Sequence, residues 1–286
     1  MNQFLLQLLN GLVVGSSLAL VASGLALLFG VLDIINFAQG EFFMLGAYIL
    51  WIILGATHNY VLGLIAAGLV LAIGGGLLLL VITWPLLGKA QVLILLATLG
   101  VSLILQQLAL NIFGGDAKIM EPPIAEGVDI GPITYPLYDL IIIAVGMGLL
   151  LAGFFWLRYA KYGVWVRAVA QNRSMAAVLG VPVPRVYLLA FMISSGLAGI
   201  AGGMLAPVTS VFPSIGGSII LNSLIVVVAG GLGNFRGAAW IAILFGEIQS
   251  VGSIWIPPVV VQLLLFGLVI LLLVLRSRRK TALVRL

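Results

Sequence analysis

The sequence predicts an all-α polytopic membrane protein of about nine transmembrane segments, built as two inverted four-helix halves with the N-terminus outside and the C-terminus inside. Three observations lead there. Of 286 residues, 63% are hydrophobic and only 7% are charged, against about 25% charged in a soluble domain. The apolar residues come in blocks close to the roughly 20 needed to cross a bilayer. When those blocks are threaded alternately, the thirteen Lys and Arg residues fall almost entirely on one side.

So little charge cannot cover a water-facing surface, which excludes a soluble enzyme, a disordered chain and a nucleic-acid binder despite the net charge of +5. There is no cysteine and a single histidine, His58, so thiolate sites, a Ser-His-Asp triad and multi-histidine metal sites are excluded; neither a metal nor a cofactor is expected. The run Gly231-Leu-Gly-Asn-Phe-Arg-Gly237 has one residue too many for a dinucleotide fingerprint and lies between apolar segments.

The first segment is 4–32; with no basic residue before it and a length beyond any signal-peptide core, it reads as a retained helix. Residues 42–88 carry no formal charge and hold two crossings, with Thr57-His58-Asn59 as the turn and Trp84-Pro85 as the exit. The fourth span is 91–113. A polar loop, 114–139, contains Asp116, Glu121, Glu126 and Asp129. A linking helix, 140–157, leads into a basic loop, 158–185, with Arg158, Lys161, Arg167, Arg173 and Arg185. The sixth to ninth spans are 186–206, 218–233, 237–256 and 259–275, the eighth set off by Arg236 and the ninth by Pro257-Pro258; a basic tail, 276–286, follows. With that tail inside, only Lys118 of the thirteen basic residues lies outside, as the positive-inside rule requires.

The segments 42–56 and 218–233 are short. At 1.5 Å per residue they reach about 22–24 Å, against a hydrocarbon core of about 30 Å. Each is second in its half (1–113 and 186–275) and follows a polar, helix-breaking stretch. Paired interrupted segments at matching positions point to a translocation site.

The stretch Asn36-Phe37-Ala38-Gln39-Gly40-Glu41 is the densest polar patch near the membrane. It either lines a solute pathway, with the amides of Asn36 and Gln39 facing the solute, or is a capped turn at the cytoplasmic surface. Asn222, in the matching short segment, is placed with it on the pathway side. Gly40 allows the turn and Glu41 stands at a helix N-terminus, where the dipole favours a carboxylate. Glu247, near the middle of the eighth span, is either a pathway group or a hydrogen-bonded fastener between helices. The spacing of Gly11/Gly15 and of Ser195/Gly199/Gly203 marks close helix packing.

In the basic loop, Tyr162-Gly163 is followed by Arg167-Ala-Val-Ala-Gln-Asn172 and then by Ala176, Ala177 and Leu179-Gly180-Val181. The small residues Ala168, Ala170, Ala176 and Ala177 make a thin helix, and Gly180 is placed as its C-cap. Such a loop is either an orientation signal lying on lipid or a helix that docks in a partner's groove.

Four colinear stretches resemble the permease subunits of bacterial branched-chain amino acid ABC transporters and their urea and amide relatives. They are Gly30-Val-Leu-Asp-Ile-Ile-Asn-Phe-Ala-Gln-Gly-Glu41 with Leu45-Gly46-Ala47-Tyr48; Ala97-Thr-Leu-Gly-Val-Ser-Leu-Ile-Leu-Gln106; the 167–172 run with 179–181; and Val226-Val-Val-Ala-Gly-Gly-Leu-Gly-Asn-Phe-Arg-Gly237. The resemblance implies that Gly163, Arg167, Ala168, Ala170, Gln171, Asn172, Ala176, Ala177 and Gly180 belong to a coupling helix for cytoplasmic ABC ATPase subunits. It further implies a periplasmic substrate-binding protein, a second permease chain (homologous or identical), a multi-pass location in the bacterial inner membrane, and 114–139 as a periplasmic loop. Many members carry His at the position of Gln39, so a role for that imidazole does not carry over. The function implied is ATP-driven import of branched-chain or aliphatic amino acids. A urea or short-chain amide permease is the alternative, and a stand-alone secondary transporter or channel a further one.

Overall fold

A computed structural model describes residues 2–130 and 133–283; the end of the tail, including Arg285, lies outside the described residues. The chain is a polytopic helical membrane protein. All nine apolar segments are helices: α1 (Asn2–Leu32), α2 (Gln39–Thr57), α3 (Tyr60–Leu78), α4 (Gln91–Phe113), α5 (Leu137–Tyr159), α8 (Val183–Leu205), α9 (Ile215–Gly230), α10 (Phe235–Gly252) and α11 (Pro258–Leu283). Two short helices, α6 (Lys161–Gln171) and α7 (Arg173–Val178), occupy the basic loop. Among the described residues, six helices are long and apolar enough to cross a membrane: α1 to α5 and α8.

Local sequence sets most of the boundaries. Asn59, Asn172 and Asn234 are N-caps of α3, α7 and α10, each side chain accepting from a backbone N–H one turn on. His58 ends α2 in the left-handed region, and Gly180 at φ +82° turns the chain after α7. Beyond α3 the helix widens into a π-helical turn, Leu79–Thr83, before the Trp84–Leu86 turn carries it out.

Several expectations are corrected. The polar loop 114–139 is not wholly irregular: β1 (Gly127–Ile130) and β2 (Ile133–Pro136) form an antiparallel hairpin. The helix α5 starts at Leu137, so Asp139 is helical rather than part of the loop. Helix α11 runs on to Leu283, through most of the stretch read as a tail. The second segment is not 15 residues but 19, because Gln39, Gly40 and Glu41 are its first turn and Thr57 extends its end; the helix break is confined to 33–38. Their polar side chains disguised them as loop, yet inside the bundle they are buried and helical. The expected brevity of the seventh segment holds, at 16 residues, shifted to begin at Ile215.

Packing follows a repeated scheme. Helix α1 lies against α10 as α8 lies against α3; α2 meets α8 as α9 meets α1; α4 touches α2 as α11 touches α9. Exchanging α1–α4 with α8–α11 preserves these three pairings, though α10 packs on α11 without a matching α3–α4 contact. The close seams are glycine-lined. Gly11 and Gly15 receive Glu247 and Ile243 of α10, and Gly199 receives Leu71 and Ala67 of α3, so the small-residue stripes are packing devices.

At the end bearing the hairpin, the Tyr60 hydroxyl pairs with that of Tyr138, which donates to the Met204 carbonyl at 2.6 Å. Met204 is in the last turn of α8, whose carbonyls lack helical partners. Tyr138→Phe strands both groups and is expected to cost about 1–3 kcal/mol, read as a lower midpoint in thermal unfolding of the detergent-solubilised protein.

Candidate functional site

The break between α1 and α2 begins at Asp33, in the left-handed region at φ +57°. From there the chain turns back into the bundle. The N–H of Phe37 donates to Thr98 Oγ1 at 3.3 Å, Gln39 Nε2 donates to the Ser194 carbonyl at 2.9 Å, and Ser102 Oγ donates to Glu41 Oε1 at 2.9 Å. Ser102 is the twelfth residue of the 23 in α4 and Ser194 the twelfth of the 23 in α8. The segment 36–41 therefore sits at mid-height of two long helices. It is not a turn at the surface. Non-helical backbone at such depth persists only where protein encloses it or a cavity wets it.

Asn36, Gln39 and Glu41 are 0%, 0% and 1% exposed. Asn36 Oδ1 accepts from the Ala38 N–H at 3.1 Å, which folds the turn. Asn36 Nδ2, Gln39 Oε1, Glu41 Oε2 and the hydroxyls of Ser194 and Ser195 have no protein partner among the described residues. Buried polar atoms without partners are costly; of these, Ser194 Oγ faces Gly24 of α1, Ser195 Oγ faces Gly75 of α3 and Glu41 Oε2 faces Gly216 of α9.

The N-terminal ends of α2 and α9 cross at this level. Gly40 and Gly216 are each the second residue of their helix. A Cβ on Gly40 would strike the Gly216 carbonyl, and one on Gly216 would meet the Glu41 carboxyl. Two N-terminal dipoles thus meet beside Asn36, Gln39 and Glu41, an arrangement suited to an anionic group.

Not all expected pathway residues join this cluster. Phe37 is half-buried beside it. Asn222 instead accepts from Gln262 Nε2 of α11 at 2.9 Å. Glu247 is not central in its helix but lies five residues from the end of α10, packed on Gly11, near the tie from Ser250 to Gln7. One oxygen, Oε1, is buried without a partner. Its place is a helix–helix seam. The residues that sequence reasoning overlooked are Thr98, Ser102 and Ser194; small hydroxyls in apolar helices carry no periodic signal, although Thr98 and Ser102 share one face of α4.

The basic residues gather at one end. Arg158, Arg167 and Arg236 line one cavity and Lys89 and Arg173 another, and both cavities include Gly30 and Val31. Lys118 is beyond the opposite end of α4, paired through its backbone with Val211. Within α6 and α7 the expected docking residues divide. Arg167, Ala170, Gln171, Asn172, Ala177 and Gly180 are exposed, Ala168 is half-buried, and Gly163 and Ala176 face inward. Gly163 abuts the Trp156 carbonyl, and Ala176 is 3% exposed. The expected single thin helix is two, broken at Asn172. Tyr162 and Val164 of α6 and Met175, Val178 and Leu179 at α7 are apolar and exposed, the last two most of all at 82% and 75%.

A helical bundle with a polar, interrupted segment at mid-height and an apolar tip at its basic end defines the membrane component of a transport system. The chain belongs to the family described as branched-chain amino acid transport system / permease component, whose model matches residues 7–274. It is 28% identical to the High-affinity branched-chain amino acid transport system permease protein LivH of Escherichia coli (strain K12), over 94% of this chain and 92% of that one. It is 27% identical to BraD of Pseudomonas aeruginosa, a permease protein of the same description, over 96% and 94%. To the L-arabinose ABC transporter permease protein AraH of Azospirillum brasilense it is 31% identical, over 77% of this chain and 65% of that one. No solved structure matches it.

Proposed function

We propose that the chain is the membrane-spanning subunit of a binding-protein-dependent importer in the bacterial inner membrane, carrying branched-chain or other aliphatic amino acids. ATP hydrolysis on separate cytoplasmic subunits drives it. The observation that carries this reading is the tip of α7. Val178 and Leu179 stand outside the fold at the basic end, where a carrier working alone has no use for uncovered apolar side chains. An ATPase groove accepts them.

Nine crossings with the N-terminus outside follow from the positive-inside rule, and the matched pairs α1–α10 with α8–α3, α2–α8 with α9–α1 and α2–α4 with α9–α11 support inverted halves. Tilting of the halves, driven through α6 and α7, opens the level of 36–41 alternately to either side. The partnerless amide and carboxyl atoms there meet the ammonium and carboxylate of a zwitterion, while the surrounding apolar residues suit an aliphatic side chain. The amino acid permeases are matched over more than nine tenths of their length and the arabinose permease over 65%, which favours an amino acid over a sugar. A second permease chain suits α4, whose exposed Gln107 and Asn111 are poorly placed against lipid.

The test is reconstitution of the chain with its ATPase subunits, a partner permease and a binding protein in liposomes. Leucine uptake that requires ATP is the expected result; uptake without ATP, or a tagged chain that never brings down an ATPase, overturns the reading. Cysteines placed one at a time in this cysteine-free chain check the pathway. Gln39→Cys and Asn36→Cys are expected to react with a water-soluble thiol reagent only during nucleotide cycling. Protection in every nucleotide state rules them out as pathway groups.

A further inference from the structure

At the basic end of the bundle a cavity of about 260 Å³ opens between the last turns of α1 and α5, the face of α6 and the start of α10. Arg158, Arg167 and Arg236 line it together with Asn234, and no acidic residue does. Arg236 lies 3.9 Å from the ring centroid of Phe154, and Arg167 donates to the Arg158 carbonyl at 3.0 Å. Those contacts hold the Arg167 and Arg236 guanidinium groups without neutralising them, and the Arg158 guanidinium lies 5.2 Å from the Tyr159 ring centroid. Three like charges around one cavity repel one another, and an anion between them relieves it.

The cavity does not end there. A second one, about 300 Å³, runs between α5 and α10 and shares Phe154, Phe235 and Arg236 with the first. Its remaining walls are apolar, among them Leu150, Leu151, Ala239 and Trp240. Leu151 and Trp240 are also exposed on the outer surface of the bundle. A cationic cup therefore continues into an apolar slot along two membrane helices.

We propose that this composite site holds an anionic phospholipid of the inner leaflet, its phosphodiester among the three arginines and an acyl chain in the α5–α10 slot. The charge selects an anion, and arginine's planar fork suits phosphate oxygens. The slot selects an anion that carries a hydrocarbon chain, which a free phosphate or a nucleotide lacks. Basic pockets between membrane helices on the inner side are the usual seats for such headgroups. The bound headgroup joins α6 to α5 and α10, so the lipid fixes the base from which α7 projects. This inference goes beyond the transport reading and does not require it.

Native mass spectrometry of the full chain, exchanged from detergent into mixtures of phosphatidylglycerol and phosphatidylcholine, tests it. Wild type is expected to keep phosphatidylglycerol with a preference of at least about tenfold. Arg158→Gln with Arg236→Gln is expected to abolish the preference, and Trp240→Ala to weaken retention while leaving the charge intact. Matching gel-filtration profiles show that the variants fold. Equal retention of the two lipids by wild type, or an unchanged preference in the arginine variant, overturns the proposal. So does competition by inorganic phosphate as effective as by phosphatidylglycerol, which makes the cup a free-anion site. Release of the lipid when an ATPase subunit binds also overturns it, giving the arginines to the protein partner.

Discussion

Val178→Asp with Leu179→Asp is expected to strip the ATPase from the purified permease and reduce ATP-driven uptake to background, with the amount of permease in the membrane unchanged. Both side chains are largely exposed, at 82% and 75%, so the fold loses nothing when they become polar. If a partner groove buries them, each contributes about 1.5–3 kcal/mol. Their joint loss weakens docking by roughly 10²–10⁴-fold, before the cost of desolvating two carboxylates. Copurification and uptake measured on the same preparation check this. Retained ATPase would show that α7 is not the docking element. Ala176→Trp serves as the contrast. At 3% exposure that residue packs inward, so the substitution is expected to lower the yield of folded permease rather than to uncouple it.

Gly40→Ala is expected to lose about 1–3 kcal/mol of stability and more than tenfold of uptake, and Gly216→Ala to behave alike. The added methyl on Gly40 meets the Gly216 carbonyl, which is backbone and cannot step aside. On Gly216 it meets the Glu41 carboxyl at 2.6 Å and the Gly40 carbonyl at 2.8 Å. Either change pries α2 and α9 apart where the polar cluster is assembled. Gly217→Ala is the control, since nothing lies within 4 Å of its Cβ position; it is expected to keep full uptake and gain slightly from helix propensity. Thermal unfolding and uptake of the three variants decide the matter. If Gly40→Ala matches Gly217→Ala, the crossing is not a constraint.

Much of this was open to reading from the chain alone. The nine apolar segments exist as helices because long uncharged runs have no alternative in a bilayer, where backbone groups must be satisfied within the segment. Arg158 to Arg185 could be read as helical because its small residues and Gly180 carry recognisable local signals, whereas its reading as a docking element came from the resemblance to the permease family. Residues 39–41 were harder. Gln-Gly-Glu is polar enough to resemble a loop, although Glu41 suits a helix start, and the partners Ser194 and Ser102, more than sixty residues away for each contact, hold it as the buried first turn of a helix. Glu247 was misleading in the opposite sense. A carboxyl in an apolar run suggests a working group, but its neighbour Gly11 sets it in the seam between α1 and α10.

The sequence by itself determined the class of protein, the order of its helices and the family to which it belongs. Each of these is written in hydrophobic length, charge position or a contiguous motif. Tertiary structure alone decided that 36–41 lies at mid-height, that Gly40 meets Gly216, that Ala176 faces in while Val178 and Leu179 face out, and that Arg158, Arg167 and Arg236 share one cavity beside an apolar slot. Hydropathy reports only whether a residue prefers lipid to water. It is silent about which helix lies next to which, and every group that matters at these sites acts through a neighbour distant in the chain.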